Sequence, residues 1–526
     1  MTATTAPYHS ELPRCRDGFA QSVRAEWTKF RTVLGRMIAT FASVIVIVLA
    51  ACGATQSTNS CTSPSCGVPV GPGGEAVTDN YYFVHRTLAG SGSITVRVSL
   101  LTGRIQAGPG NVVTPSDLVG VPSRVQPWAK AGLIVTPSTN PGSAYAAVMV
   151  TGGHGVRMQY DYTHDTAGTA GAAGSPQWLR LTRSGGTLTG YASADGFHWA
   201  KIGAAHLAGL PATVQAGLFV TSPQTAQLAQ GESSSFMQQA TAATAAFDRL
   251  GLQGAWRSGA WQAENVGPEP NNANPTNAMP ILSSVGYHRS GGGFTVSGSG
   301  DIAPAVGIPA GQTAAQPLHG VFVGLIVLIV VASMFVTAEY RRGLILTTFA
   351  ATPRRGRVLA AKAIVVGSVA FFAIAVAAGI ALPLGLHNLR ARGNYIYPTT
   401  TLTDLRLIVG TAALVALTTV LAVAVGAALR RSAVAVCIVM VLIVFPYVLT
   451  ITAALPAGVS QWLARLTPAA AFAVQQTLPQ YHQVSYQYTP ANDFYPLTPA
   501  AGLAVLAGYA LIALALAGYL LRTRDA

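Results

Sequence analysis

The stretch "VIVIVLAACGAT" (residues 44–55) decides how this chain is read. Its Leu49-Ala50-Ala51-Cys52 has the small residues and the cysteine at which an export signal is cut and lipidated, which would discard everything upstream. The competing reading keeps the stretch as a membrane-crossing helix. About 36 residues precede the apolar run, far more than the short basic region of such a signal. The retained helix is therefore expected.

Composition supports this. The chain of 526 residues is 50% hydrophobic and only 10% charged, against roughly 25% charged in soluble domains. Six apolar runs reach the ~17–25 residues needed to cross a bilayer: 37–54, 321–338, 363–386, 407–429, 433–455 and 500–521. The net charge of +14 is unevenly spread. Residues 53–316 are near neutral, with twelve basic and eleven acidic side chains, whereas the remainder holds twenty basic and seven acidic. The excess flanks apolar runs instead of forming one patch, which argues against nucleic-acid binding and for a membrane.

Orientation follows from the same residues. With the N-terminus inside, sixteen Lys/Arg fall in inner segments, among them Arg341, Arg342, Arg354, Arg355, Arg357 and Lys362. Only Arg390, Arg392, Arg406 and Arg465 fall in short outer ones. Both termini are thus expected in the cytosol of a multi-pass cell-membrane protein. Residues 1–36 form a cytosolic N-terminus. Within it "FAQSVRAEWTKFRTVLGRM" reads as an amphipathic helix lying in the bilayer interface, with Trp27 at headgroup depth beside Phe30 and with Lys29 and Arg31 toward lipid phosphate. A solvated N-terminal helix is the bland alternative.

The 260-odd residues between the first two spans differ in kind. Short alternating runs such as "GSITVRVSL", "GVRMQYDYT" and "QWLRLTRSGGTLTGYASADG" mark half-buried strands, and "RSGGTL" marks a hairpin. The expected fold is an antiparallel β-sandwich over 78–316, outside the cell, joined by a linker at 55–77. Within this region 254–290 reads as a long loop or a partly ordered excursion. Cys61 and Cys66 in "CTSPSC" are candidates for a small disulfide loop.

Two resemblances add to this reading. "VRAEWTKFRT", "TAEYRRGLILTTFAATPRRGRVLAAK" and "TPAAAFAVQQTLP", in a six-span layout, resemble the permease subunit of a type-2 ATP-binding-cassette exporter over 1–54 and 317–526. The resemblance implies a second permease chain, homo- or heteromeric, and separate ATPase subunits. It places Glu339, Arg341, Arg342 and Gly343 at the membrane exit, and Thr347, Thr348, Pro353, Arg354, Arg355 and Arg357 at the ATPase contact. Independently, Leu344–Ala351 suits a two-turn helix that Pro353 would end, and the arginines alone could be topology determinants. Strand stretches such as "YYFVHRTLAGSGSITVRV" and "PQWLRLTRSGGTLTGYASADGFHW" resemble concanavalin A-like domains of bacterial extracellular proteins. There "GGFTVSGSGDIAP" (292–304) matches a segment that usually comes first, which suggests a circular permutation.

The chemistry expected of the chain itself is spare. A phosphate-binding loop needs Gly-Lys before Ser or Thr, and Lys29, Lys130, Lys201 and Lys362 follow Thr, Ala, Ala and Ala. ATP and Mg would therefore be used by the partner, with no cofactor or metal here and no enzymatic activity. A glycosidase needs two carboxylates about 5–9.5 Å apart; the candidates Asp161, Asp165, Asp195 and Asp301 include Asp195 in "SADGFHW", which reads as a turn. Ionisable residues are nearly absent within the spans, which argues against ion coupling. The expected function is export of an unidentified, apolar or amphipathic substrate. The alternatives are a non-transporting protein whose sandwich binds envelope glycan or a protein partner, and an ATPase-driven envelope assembly factor.

Overall fold

The structure is a computed structural model that describes residues 18–56, 68–105, 125–168, 175–228, 236–239, 241–267, 285–306, 311–351, 354–452, 454–484 and 488–523. Cys61, Cys66 and Pro353, residues 57–67 of the linker and the centre of the 254–290 stretch lie outside them. Six helical segments are long and apolar enough to cross a membrane: Leu34–Gly53, Gln316–Arg341, Arg355–Ala391, Thr401–Leu429, Ser432–Ile451 and Pro499–Thr523. In chain order, the strands fall between the first and the second.

Helix α1 (Phe19–Thr32) precedes α2 (Leu34–Gln56), which runs unbroken through Cys52. After the strands come α3 (Val321–Arg341), α4 (Leu344–Ala351), α5 (Arg355–Ala391) and α6 (Thr401–Leu429). The fifth span is not one regular helix. It is α7 (Ser432–Val439), a π-helical turn over Met440–Val444 and α8 (Phe445–Ile451). Pro446 cannot donate to the preceding turn, and the wider turn accommodates that loss. An amphipathic α9 (Ala457–Leu466) and a 3₁₀ segment at Pro468–Gln475 lead to α10 (Pro499–Thr523). Small residues along α5 and α6, including Ala370, Ala377, Ala378, Ala412 and Ala422, are buried in the core of the bundle. They let the backbones approach closely, and packing then takes the place of a hydrophobic driving force.

The strands form a two-layer β-sandwich. In chain order they are β1 (Val77–Asp79), β2 (Tyr81–Ile105), β3 (Lys130–Thr136), β4 (Ala146–Thr151), β5 (Val156–Tyr160) and β6 (His164–Ala167). Then come β7 (Gln177–Ser184), β8 (Thr187–Ser193), β9 (Ala200–His206), β10 (Thr213–Thr221), β11 (Thr225–Leu228) and β12 (Phe236–Gln239). The last are β13 (Thr241–Trp256), β14 (Gln262–Val266), β15 (Gly286–Ser290), β16 (Gly293–Gly298) and β17 (Ile302–Pro304). Strand β2 belongs to both layers. Its first half pairs β10 and β14, and its second half pairs β7 and β13. One layer runs β6-β5-β4-β3-β10-β2-β14, and the other runs β9-β8-β7-β2-β13-β16-β15. A strand that switches sheets in this way turns a sandwich corner.

Alternation predicts the inner faces well. Val84, Leu88, Leu133, Val148, Leu179, Leu181, Leu218 and Val296 fill the space between the layers. Of the two readings of 254–290, the partly ordered one agrees with the structure, because β14 and β15 lie within it and extend the two edges. Residues 293–298 are part of the sandwich as β16, paired with β13. The two ends of the domain meet as an antiparallel ribbon of β1 with β17. That ribbon lays Val77 and Ile302 over the outer face of the first layer, against Phe83, Ile134, Met149 and Phe219.

The sandwich sits on one end of the bundle. Ala76, Ala305 and Val306 from the ribbon pack with Tyr397, Leu478 and Phe494 from the loops between helices. The Tyr397 hydroxyl donates to the Ala305 carbonyl at 3.1 Å, and the Tyr395 hydroxyl donates to the Gly74 carbonyl at 2.7 Å.

Candidate functional site

The opposite end of the bundle holds its most concentrated set of charges. Helix α3 begins beside the sandwich and, at ~1.5 Å per residue, carries its C-terminus about 30 Å away. There Gly343, at φ +68°, takes the left-handed conformation that ends α3 and turns the chain into α4. The expected two-turn helix forms over Leu344–Ala351.

Four charged side chains from three helices meet at this turn. Lys362 on α5 places Nζ 2.6 Å from Glu26 Oε2 on α1 and 2.7 Å from Glu339 Oε1 on α3. Lys29 on α1 places Nζ 2.8 Å from Glu26 Oε1 and 3.3 Å from Glu339 Oε1, and also donates to the Thr348 hydroxyl on α4 at 3.2 Å. Glu26, Glu339 and Lys362 are buried, while the Lys29 side chain is 37% exposed. The Phe335 ring lies 4.8 Å from Lys362 Nζ and 4.7 Å from the Arg36 guanidinium. Burial pulls the Lys29 pKa down, but the hydrogen bond and charge of Glu26, and then Glu339, outweigh it and leave the pKa raised. Glu339 Oε2 is buried without a hydrogen-bond partner among the described residues. Beside the cluster, Ser22, Ala25, Glu26, Lys29, Thr347, Thr348 and Val358 line an open cleft of about 260 Å³.

The sequence-predicted residues divide at this point. Lys29, Glu339 and Thr348 come together. Arg341, Arg342, Gly343, Thr347 and Arg354 are exposed around them. Arg355 instead donates to the Leu521 carbonyl of α10 at 2.7 Å, and the Arg357 backbone N–H donates to the Arg354 carbonyl at 2.9 Å. The interfacial stripe is split. Phe30 leaves the expected lipid face and is buried against Phe335 at 5.7 Å, whereas Trp27 is exposed, stacked at 6.5 Å on Phe30, and Arg31 points outward. Helix α1 is thus docked on the bundle through the face that carries Glu26 and Phe30.

Sequence reasoning missed Glu26 and Lys362. Both had a signal. Glu26 shares a helical face with Val23 and Phe30, and Lys362 stands in the apolar run "VLAAKAIVV", where a charge needs a partner. Lys362 was assigned to the flank of a span; the helix instead begins seven residues earlier, at Arg355, and buries it.

In the sandwich, the carboxylates considered for catalysis each have a local role. Asp195 Oδ1 accepts the N–H groups of Phe197 and His198, both at 2.8 Å, and Gly196 has φ +83°, so the segment is the expected turn. Asp165 pairs with Arg157 and Gln159, and Asp301 with Lys130 at 2.6 Å. Asp161 lies in the turn between β5 and β6. Trp128 is buried and stacks on His154 at 3.9 Å. Among the described residues no group of three His, Cys, Asp or Glu is placed to hold a metal.

No family model and no curated protein matches the chain. Among solved structures, the GH43 BlXynB protein from Bacillus licheniformis aligns at 16% identity over 29% of this chain and 26% of its own, with a TM-score of 0.17. The chain thus spans about a quarter of that protein's length. A functionally unknown protein from Saccharomyces cerevisiae aligns at 13% identity over 37% of this chain and 84% of its own, with a TM-score of 0.18. Scytalido-glutamic peptidase aligns at 10% identity over 42% and 98%, with a TM-score of 0.22. At these TM-scores the likenesses carry no argument about function.

Proposed function

We propose that this chain is the membrane-spanning permease subunit of an ATP-binding-cassette exporter in the cell membrane. A second permease chain and separate ATPase subunits, which bind ATP and Mg, complete it. The termini and α4 face the cytosol, and the sandwich, with β16 as the displaced first strand of a permuted domain, faces outward. The observation that carries this reading is the position of α4. It follows the second span, exposes Leu344 and Thr347, and is tied through Thr348 and Lys29 to the junction of α1, α3 and α5. A push on α4 would therefore move three helices as one unit, which is what a permease driven by an external ATPase requires. The distribution of basic residues supports the orientation.

The test is co-purification of the C-terminally tagged chain from native membranes in mild detergent. An ATPase subunit is expected with the wild type, and the variant carrying Leu344→Ala and Arg354→Ala is expected to lose most of it while keeping its thermal unfolding midpoint. Absence of any ATPase from the wild-type preparation overturns the proposal.

A further inference from the structure

Among the described residues, one buried carboxylate at the sandwich end has no countercharge. Asp79 on the ribbon strand β1 is 5% exposed. Its Oδ2 accepts the Gly142 N–H at 2.8 Å and lies 2.8 Å from the Tyr162 hydroxyl oxygen, which is itself 3.0 Å from the Ser143 carbonyl oxygen. A phenol has one hydrogen, and here it faces two acceptors. With Asp79 ionised, that hydrogen serves the carboxylate, and the Ser143 carbonyl is left against a lone pair. With Asp79 protonated, the acid donates to Tyr162, Tyr162 donates to Ser143, and all three oxygens are satisfied.

The surroundings favour the proton. Around the Asp79–Tyr162 pair stand the buried phenols of Tyr81 and Tyr145 and, beside the Tyr162 ring, Glu75; Asp161 and Asp301 act on Tyr145, and Glu264 acts on Tyr81. The neighbouring cation is Lys130, whose Nζ is held by Asp301 at 2.6 Å and by the Ile302 carbonyl at 2.6 Å. Burial pushes the Asp79 carboxyl up to about 6, against the pull of its Tyr162 and Gly142 bonds.

Tyr162 also touches the membrane half. It sits in the turn between β5 and β6, where Asp161 and Tyr162 both take positive φ, at 42° and 59°. A bulky side chain seldom adopts that conformation, and surrounding contacts must hold it. The contact on the helical side is Gln483, in the loop between α9 and α10. Buried at 4% exposure, its Nε2 donates to the Tyr162 carbonyl at 3.2 Å and to the Thr163 carbonyl at 3.3 Å. One unbroken path thus runs from the Asp79 carboxyl through the Tyr162 phenol and its strained backbone to the loop that precedes the last helix.

We infer that Asp79 is a proton-binding site, and that its proton holds the Tyr162 turn in the conformation Gln483 grips, so acid tightens the seating of the sandwich on the helices and alkali loosens it. The exporter proposal is not needed for this. Asp79→Asn fixes the neutral state: its amide N–H replaces the acid O–H toward Tyr162, at the cost of the bond from the Gly142 N–H, which an amide nitrogen cannot accept.

The experiment is hydrogen exchange on the full-length chain in lipid nanodiscs, corrected for intrinsic rates, from about pH 5 to about pH 7. In the wild type, residues 140–165 and the loop around Gln483 are expected to lose protection as pH rises, with a midpoint near 6. Asp79→Asn is expected to show protection that does not change across this range. Wild-type protection that does not change with pH overturns the inference. If Asp79→Asn does not fold, wild-type pH-difference infrared spectra decide. A buried carboxylic-acid carbonyl band titrating near that midpoint and shifted by Tyr162→Phe supports the site; no such band overturns it.

Discussion

The two ends of the helical bundle bury charge in opposite ways. Away from the sandwich, two carboxylates from α1 and α3 are met by two lysines from α1 and α5, so the charges of the cluster balance, with Lys29 partly exposed and the other three buried. Under the sandwich, Asp79 is met by a phenol and a backbone N–H, with no cation in contact among the described residues. Balanced charges lock helices together, because parting any pair strands a charge in a low-dielectric site. An unbalanced carboxyl can instead change its proton at modest pH. The first arrangement suits transmission of force between helices. The second suits a contact that responds to its surroundings.

The sharpest way to break this contrast is to unbalance the first site. Lys362→Met leaves Glu26 and Glu339 with Lys29 alone, and is expected to cost roughly 3–5 kcal/mol of bundle stability. Thermal unfolding in detergent measures this. Adding Glu26→Gln and Glu339→Gln is expected to recover most of the loss, and a neutral Lys362→Met would mean the four side chains do not meet.

A smaller effect is expected from pH at the second site. The folded Asp79 carboxyl titrates near 6, above the ~3.9 of an unfolded chain. Between those values the folded state holds a proton that the unfolded state has lost. The stabilising contribution is therefore complete below about pH 4 and disappears as pH rises through 6, by about 3 kcal/mol in all. Unfolding of the wild type and of Asp79→Asn across that window tests the sign. The stability difference between them should shift in favour of the variant as pH rises.

The smallest effect belongs to Lys29, whose side chain is 37% exposed. Lys29→Met should cost at most about 1 kcal/mol, with a difference from wild type that shrinks in high salt. A loss as large as that of Lys362→Met would show that Lys29 carries the lock.

Much of this architecture is legible in the sequence, and the reason differs by region. The spans follow from run length alone, since a helix of about 20 apolar residues has few other stable environments. The sandwich follows from alternation, as in β7, where every second residue from Gln177 to Arg183 is buried. The α4 helix follows from the short apolar run Leu344–Ala351 and from Pro353 after it, which disfavours continuation. What escaped was placement. The face of α1 that carries Phe30 reads as lipid-facing because apolar residues suit lipid and protein equally. Residues 262–266 and 286–290 are too short, and too rich in turn-forming neighbours, to show as strands until β2 and β16 offer their edges.

The sequence by itself thus determined the six apolar helices, the sandwich character of the region between the first two, and the short helix over 344–351. Those depend on local composition and periodicity, which each segment carries on its own. Only the tertiary structure decided that Glu26 and Lys362, 336 residues apart, share a buried contact, and that Asp79, Tyr162 and Gln483 stand in one line between the sandwich and the helices. A charge in an apolar run announces that it needs a partner. Which partner it finds depends on how the helices and strands pack, and no local pattern in the chain records that.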